Sequence, residues 1–200
     1  MTIRPRRSVL YMPGSNARAL EKARTLPADC VILDLEDAVA PDAKGDSRKQ
    51  VAEAVKAGGF GAREVFVRVN GIDTPWHADD MYAAAQAAPN AILVPKVSTV
   101  EQLERIGQRL LDMKVDLKTR VWAMIETPEA IFNINALAAE AHDSETRLAG
   151  FVMGTNDLVK ETRARLVPGR QPMLPWLANC LLAAHGHGID ILDGVYNDLR

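Results

Sequence analysis

Cysteine is scarce in this chain. Only Cys30 and Cys180 occur among 200 residues, far apart and each inside an apolar segment. That excludes a disulfide-stapled scaffold and favours buried thiols in a reducing compartment. Aromatic residues make up 5%, and no basic stripe interleaved with aromatics exists, so nucleic acid is not an expected partner. Neither sign of charge dominates: 24 Lys and Arg against 26 Asp and Glu leave a formal net charge of -2. No apolar run approaches the roughly 20 residues that span a bilayer. The basic start MTIRPRRS lacks the apolar stretch of a secretory signal. Catalytic histidine sets are missing too. His77, His142, His185 and His187 fall in helical patterns or at their ends, and no Ser–His–Asp or Cys–His arrangement can be assembled. What remains is a cytoplasmic globular protein whose 48% hydrophobic content fills the core of one domain, residues 1–200.

Against these absences stand seven short runs rich in β-branched and aliphatic residues. They are SVLYMP from Ser8, CVILDLED from Cys30, EVFVRVN from Glu64, AILVPKV from Ala91, RVWAMIE from Arg120, LAGFVMG from Leu148 and IDILDGV from Ile189. Helical patterns lie between them: Ala17–Leu26 with Ser15 or Asn16 as its cap, Asp46–Ala57 opening on a capping Asp46, then His77–Ala88, Val100–Met113, Pro128–Ala141 and Leu174–Gly186. Most strand starts are 22 to 34 residues apart, the span of one strand-plus-helix unit. The longest interval carries a polar stretch with Pro and Gly, GTNDLVKETRARLVPGRQPMLPW, which reads as a functional loop.

Alternation of this kind predicts a parallel sheet. An open doubly wound sheet for dinucleotides would need a Gly-rich fingerprint after the first strand; MPGSN is not one. The expected fold is therefore an α/β (β/α)8 TIM barrel. A full barrel has eight strands in about 250 residues, so the chain is expected to be C-terminally incomplete, with the eighth strand missing and two open sheet edges.

Most runs end in a residue able to do chemistry, and a barrel gathers strand ends at its C-terminal face. Glu126 closes WAMIE, and Asp157 follows the sixth run in GTNDL. Two carboxylates plus waters suit a hard cation such as Mg2+; the competing reading has Asp157 capping a helix and Glu126 pairing with a base. Asp34, Glu36 and Asp37 crowd the end of the second run. Such acids hold metal-bound waters, take a substrate proton, or simply anchor Arg7 and Arg68 in ion pairs. Arg68, inside VFVRVNG, needs a carboxylate from DLED or from a substrate. Lys96 stands where a Schiff-base aldolase would need its lysine, or is one member of an ion pair.

RSVLYMPGSN, VILDLEDAV, VFVRVNG, ILVPKV, AMIETPEA, MGTNDL and HGIDILDGVYND, in this order from Arg7 onward, resemble the HpcH/HpaI aldolase and citrate lyase family. The likeness is to its citrate lyase β subunits and malyl- or citramalyl-CoA lyases. The resemblance implies a barrel of the pyruvate/phosphoenolpyruvate type and a Mg2+-dependent carbon–carbon lyase, Mn2+ being the alternative ion. It further implies a CoA-thioester substrate split into acetyl-CoA and a 2-oxo acid, and a homotrimer or hexamer. By position, Glu126 and Asp157 match the family's metal ligands. Arg68, with Glu126 and Asn156, matches substrate contacts, and Tyr11 and Lys22 match CoA contacts. Asn16 stands where related malyl-CoA lyases have an arginine. Two other readings stay open: an aldolase acting on free 2-oxo-3-deoxy acids, and a catalytically silent fragment that binds partners.

Overall fold

The computed structural model describes residues 4–197; the end of the YND motif, at Asp198, lies outside them. Seven strands form one sheet in chain order: β1 (Val9–Pro13), β2 (Cys30–Asp34), β3 (Glu64–Arg68), β4 (Ala91–Val94), β5 (Arg120–Ile125), β6 (Leu148–Met153) and β7 (Asp190–Leu192). Helices separate them: α1 (Ala17–Ala23), α2 (Lys44–Ala57), α3 (His77–Ala87), α4 (Val100–Asp112), α5 (Pro128–Phe132), α6 (Ile134–Ala139), α7 (Thr155–Thr162) and α8 (Leu174–Gly186). This is the expected β/α architecture of the TIM-barrel class. Among the described residues, no helix is long and apolar enough to cross a membrane.

Contacts divide the chain into two compact units. One comprises Met1–Val94 with Asp112–Arg120, the other Pro95–Leu111 with Val121–Arg200. In the first, β1, β2, β3 and β4 pair parallel and in register, so that Pro13, Asp34 and Arg68 lie side by side at the strand ends. All five residues of β2 and of β3 are buried. That is why CVILD and EVFVR read as unbroken runs rather than as alternating ones: a parallel strand buried on both faces is apolar on both. Asn16 caps α1, its Oδ1 accepting from the Ala19 amide at 3.1 Å. Helix α2 starts two residues earlier than the sequence suggests. Its N-cap is Ala43, without a side-chain hydrogen bond, and Asp46 lies in the first turn instead of capping it.

In the second unit, β5 pairs parallel with β6, and β6 with β7. Helix α4 turns Leu103, Ile106 and Leu110 inward, a spacing that puts one apolar stripe on the core. The single helix expected over Pro128–Ala141 breaks at Asn133. There the Asn133 amide donates to Glu129 O at 3.0 Å, and its side-chain Nδ2 to Ser98 O at 2.9 Å. The long polar stretch after β6 is also more ordered than a loop. It holds α7 and a 3-10 segment at Pro168–Met173, from which Arg170 forks onto Asp193, past β7, at 2.8 Å.

Cys30 and Cys180 are both free and buried. Burial pushes the Cys180 thiol up to about 12 and the Cys30 thiol higher still. Since the thiolate is the reactive form, iodoacetamide at pH 8 is expected to leave the folded protein unlabelled and to add two groups after denaturation, counted by intact mass. A singly labelled native protein would contradict this.

Candidate active site

The first unit holds an arginine bound by carboxylates. Arg68, the last residue of β3, donates through Nε to Asp34 Oδ1 at 2.7 Å and through Nη2 to Asp34 Oδ2 at 2.6 Å. Strand register makes this fork, because Asp34 and Arg68 are direct partners at the ends of β2 and β3. Nη1 reaches Glu36 Oε2 at 2.9 Å and Asp37 Oδ2 at 3.3 Å, and the guanidinium lies 5.0 Å above the Tyr11 ring. Burial alone would lower the pKa of Arg68. The hydrogen bonds to Asp34, with the fields of Asp34 and Glu36, outweigh it and hold the group above its ordinary value. The side chain is 8% exposed, Asp34 1%, Glu36 14% and Asp37 72%.

Asp34 also shapes the chain that follows it. Its Oδ1 accepts from the Glu36 amide at 2.8 Å and its Oδ2 from the Ala38 amide at 3.1 Å. Each carboxylate oxygen therefore holds one arginine nitrogen and one turn amide. Arg7 does not join these acids. Its guanidinium and backbone amide bind Asp29 and hold that carboxyl down to about 2.

A lysine with no sequence signal of burial lies against this turn. Lys44 Nζ donates to Leu35 O, Glu36 O and Asn70 Oδ1, each at 2.7 Å, and sits 5.2 Å over the Trp76 ring. Desolvation pulls its pKa below the ordinary value, with Asp34, Asp80, Glu36 and Asp37 opposing. Asn70 passes the network on through its Nδ2 to Asp80 Oδ2 at 2.5 Å, and Arg48 Nε closes on Asp80 Oδ1 at 2.7 Å. The signal available was Lys44 and Arg48 four apart on one helix face, a spacing ordinarily read as solvated.

In the second unit Glu126 directly follows β5 and is 1% exposed. Its Oε1 accepts from the Lys96 amide at 2.8 Å. The β5–β6 register sets Ile125 against Met153, so Glu126 stands level with Gly154. A Cβ at Gly154 would collide with Glu126 Cβ and Oε2, which is why glycine ends the sixth strand. Lys96 itself has φ +55° and an exposed side chain; its backbone, rather than its ammonium, serves this site. Thr127 caps α5 by accepting from the Ala130 amide at 3.1 Å, and its hydroxyl shares a 2.6 Å hydrogen bond with Ser98 Oγ.

Asp157 lies in the first turn of α7, where a negative charge suits the helix dipole. It is not the cap, which is Gly154. Asn156 is exposed, its Oδ1 accepting from Asn197 Nδ2 at 2.9 Å. Lys22 is exposed on the last turn of α1, while Tyr11 is engaged with Arg68. Among the described residues, no cluster of three or more His, Cys, Asp or Glu side chains suits a metal ion. The metal ligands expected from the sequence are two carboxylates, Glu126 at the end of β5 and Asp157 at the start of α7. Mg2+ fits such a set, because it keeps several waters or substrate oxygens and rarely takes an all-protein cage.

The sequence profile of the HpcH/HpaI aldolase/citrate lyase family matches residues 7–200. The chain is 47% identical over 196 residues to the "(3S)-malyl-CoA thioesterase" of Cereibacter sphaeroides strain KD131, covering 98% of this chain and 65% of that protein. It is 32% identical to "Citrate lyase subunit beta" of Escherichia coli K12, with 98% and 65% covered. It therefore spans just under two thirds of the length of these relatives. Among solved structures it superposes on CitE of Mycobacterium tuberculosis in complex with magnesium, acetoacetate and coenzyme A. The TM-score is 0.77 and the identity 26%, over 98% of this chain and 68% of the other.

Proposed function

Because the chain belongs to the HpcH/HpaI aldolase/citrate lyase family, we propose that it works on 3-hydroxyacyl thioesters of coenzyme A, cleaving or forming the carbon–carbon bond between an acetyl-CoA half and a 2-oxo acid. The observation that carries this reading is the burial of Glu126 at a strand end, with its partner backbone drawn close by Gly154. A carboxylate there is the anchor a divalent ion needs, and Asp157 is the second ligand proposed. A bound Mg2+ would act as a Lewis acid toward the substrate's carboxylate and hydroxyl oxygens.

The other roles follow from what each side chain already does. Asp34, with both oxygens occupied, serves as the anchor of Arg68 and not as a proton carrier. That leaves Glu36 and Asp37 to move a proton. Asp37, the exposed member, is our choice for taking the hydroxyl proton as the bond breaks and for deprotonating acetyl-CoA in reverse. Arg68 keeps a fixed positive charge beside them and stabilises negative charge developing on the substrate. Tyr11 and Lys22 are assigned to the CoA portion and Asn156 to the oxo acid.

A second reading is thioester hydrolysis, favoured by the 47% identity to proteins named as malyl-CoA thioesterases. The two differ in what they make. Given malyl-CoA and Mg2+, lyase chemistry yields acetyl-CoA and glyoxylate without consuming water. Hydrolysis yields malate and free CoA thiol. Mass spectrometry of the products after a single addition of enzyme is expected to show acetyl-CoA and glyoxylate in equal amounts. Malate and free thiol alone would replace the lyase reading with the hydrolytic one, and neither pair would overturn both.

A further inference from the structure

The first unit carries an open cleft of about 760 Å3 at the ends of β3 and β4 opposite to Arg68, lined by Val65 and Asn90 at the strand starts and by the loop Gly58–Arg63. Its volume falls within the range of small-molecule sites. Arg4 and Arg63 line it, and no Asp or Glu does. Carbonyls hold both guanidiniums: Arg4 Nη2 donates to Ala62 O at 2.7 Å, Arg63 Nε to Leu26 O at 2.6 Å and Nη1 to Phe60 O at 3.0 Å. Arg4 Nε also lies 3.7 Å from Glu64 Oε2, behind the cleft lining. Arg4 Nη1 and Arg63 Nη2 have no partner among the described residues.

The loop adds donors of its own. The amides of Gly59, Phe60, Gly61 and Ala62 find no intramolecular acceptor among the described residues. Positive φ at Gly58, Gly59 and Gly61 turns this stretch sharply, and four successive amides beside two arginines make a donor surface with no acceptor among the described residues. At the rim Arg24 lies 5.0 Å over the Phe60 ring, its charge offset by Glu21 at 2.9 Å. Guanidinium forks and backbone amides together match the several oxygens of a phosphoryl group.

We propose that this cleft binds the diphosphate group of a phosphorylated small molecule, at a site separate from the thioester chemistry. The test reads binding directly and stands whether or not the proposed reaction is correct. Inorganic pyrophosphate is titrated into the full chain, with backbone amide NMR to locate it and calorimetry to measure it. Shifts are expected at Gly59, Phe60, Gly61 and Ala62, with weaker binding of inorganic phosphate. Gly61→Asp is the cleanest variant. Aspartate is among the residues that enter the local φ of +62° most readily, at some cost in strain, and the new Cβ would meet only Arg63 Nη1, at 3.7 Å. Its carboxylate neutralises the cleft, so pyrophosphate affinity falls at least tenfold while thioester turnover stays at the wild-type level; Arg4→Gln has the same effect. Shifts confined to other residues, phosphate binding as tightly as pyrophosphate, or unchanged affinity in both variants would overturn the proposal.

Discussion

On the proposed lyase reading, Glu126→Gln is expected to lower turnover of malyl-CoA with Mg2+ about a thousandfold while leaving the fold intact. The size follows from the several kcal/mol that a metal ion contributes to charge stabilisation, at about 1.4 kcal/mol per tenfold in rate. Glutamine keeps the shape that Gly154 accommodates and keeps an oxygen to accept the Lys96 amide. What it removes is the negative charge. Circular dichroism and the melting temperature should therefore stay close to wild type, while Mn2+ affinity, read by electron paramagnetic resonance, falls with turnover. Lys96→Ala is the control. Its backbone amide survives the change and its ammonium is exposed, so activity should stay within about twofold, as for most surface substitutions. The opposite pattern, with Lys96→Ala inactive and Glu126→Gln active, would point to a Schiff-base aldolase.

How far the sequence told this story varies along the chain. The inner strands were legible because parallel strands buried on both faces leave unbroken apolar runs, and β2 and β3 are the clearest cases; β1 and β7, at the ends of the sheet and only partly buried, were legible from their aliphatic residues alone. Glu126, Arg68 and the acids of DLED stood out because each ends such a run. The misses have two causes: polar side chains whose partners lie on other elements, and an element with too few buried residues to show a period. Lys44 reads as a solvated helix residue until Leu35 O, Glu36 O and Asn70 Oδ1 are seen around it. Helix α7 hid in a polar stretch because its buried contacts amount to little more than Thr155 and Leu158, too few to set a period. The break at Asn133 depends on Ser98 O, which lies 35 residues away. The role of Asp34 was likewise ambiguous, since three neighbouring acids look alike on paper. Only the register that pairs Asp34 with Arg68 separates the anchor from its two neighbours.

That separation makes a second large expectation. Asp34→Asn should destabilise the folded protein by about 3 kcal/mol or more, because removing one member of a buried ion pair leaves the other charge uncompensated. Arg68 then keeps Glu36 and Asp37, but loses the fork that fixes its plane, and the turn amides of Glu36 and Ala38 lose a charged acceptor. Asp37→Asn touches the same arginine from an exposed position, at 3.3 Å. An exposed ion pair is worth about 1 kcal/mol at most, so this variant should unfold almost as wild type does. In thermal melts the first change is expected to lower the midpoint by about 10 °C, and the second by no more than about 3 °C. Catalysis should rank them in reverse at matched folded concentration: if Asp37 is the proton carrier, Asp37→Asn retains stability and loses turnover. Equal stability losses from the two substitutions would show that Arg68 shares its charge evenly among the acids. The anchor assigned to Asp34 would then have no basis, and Asp34 would return as a candidate base.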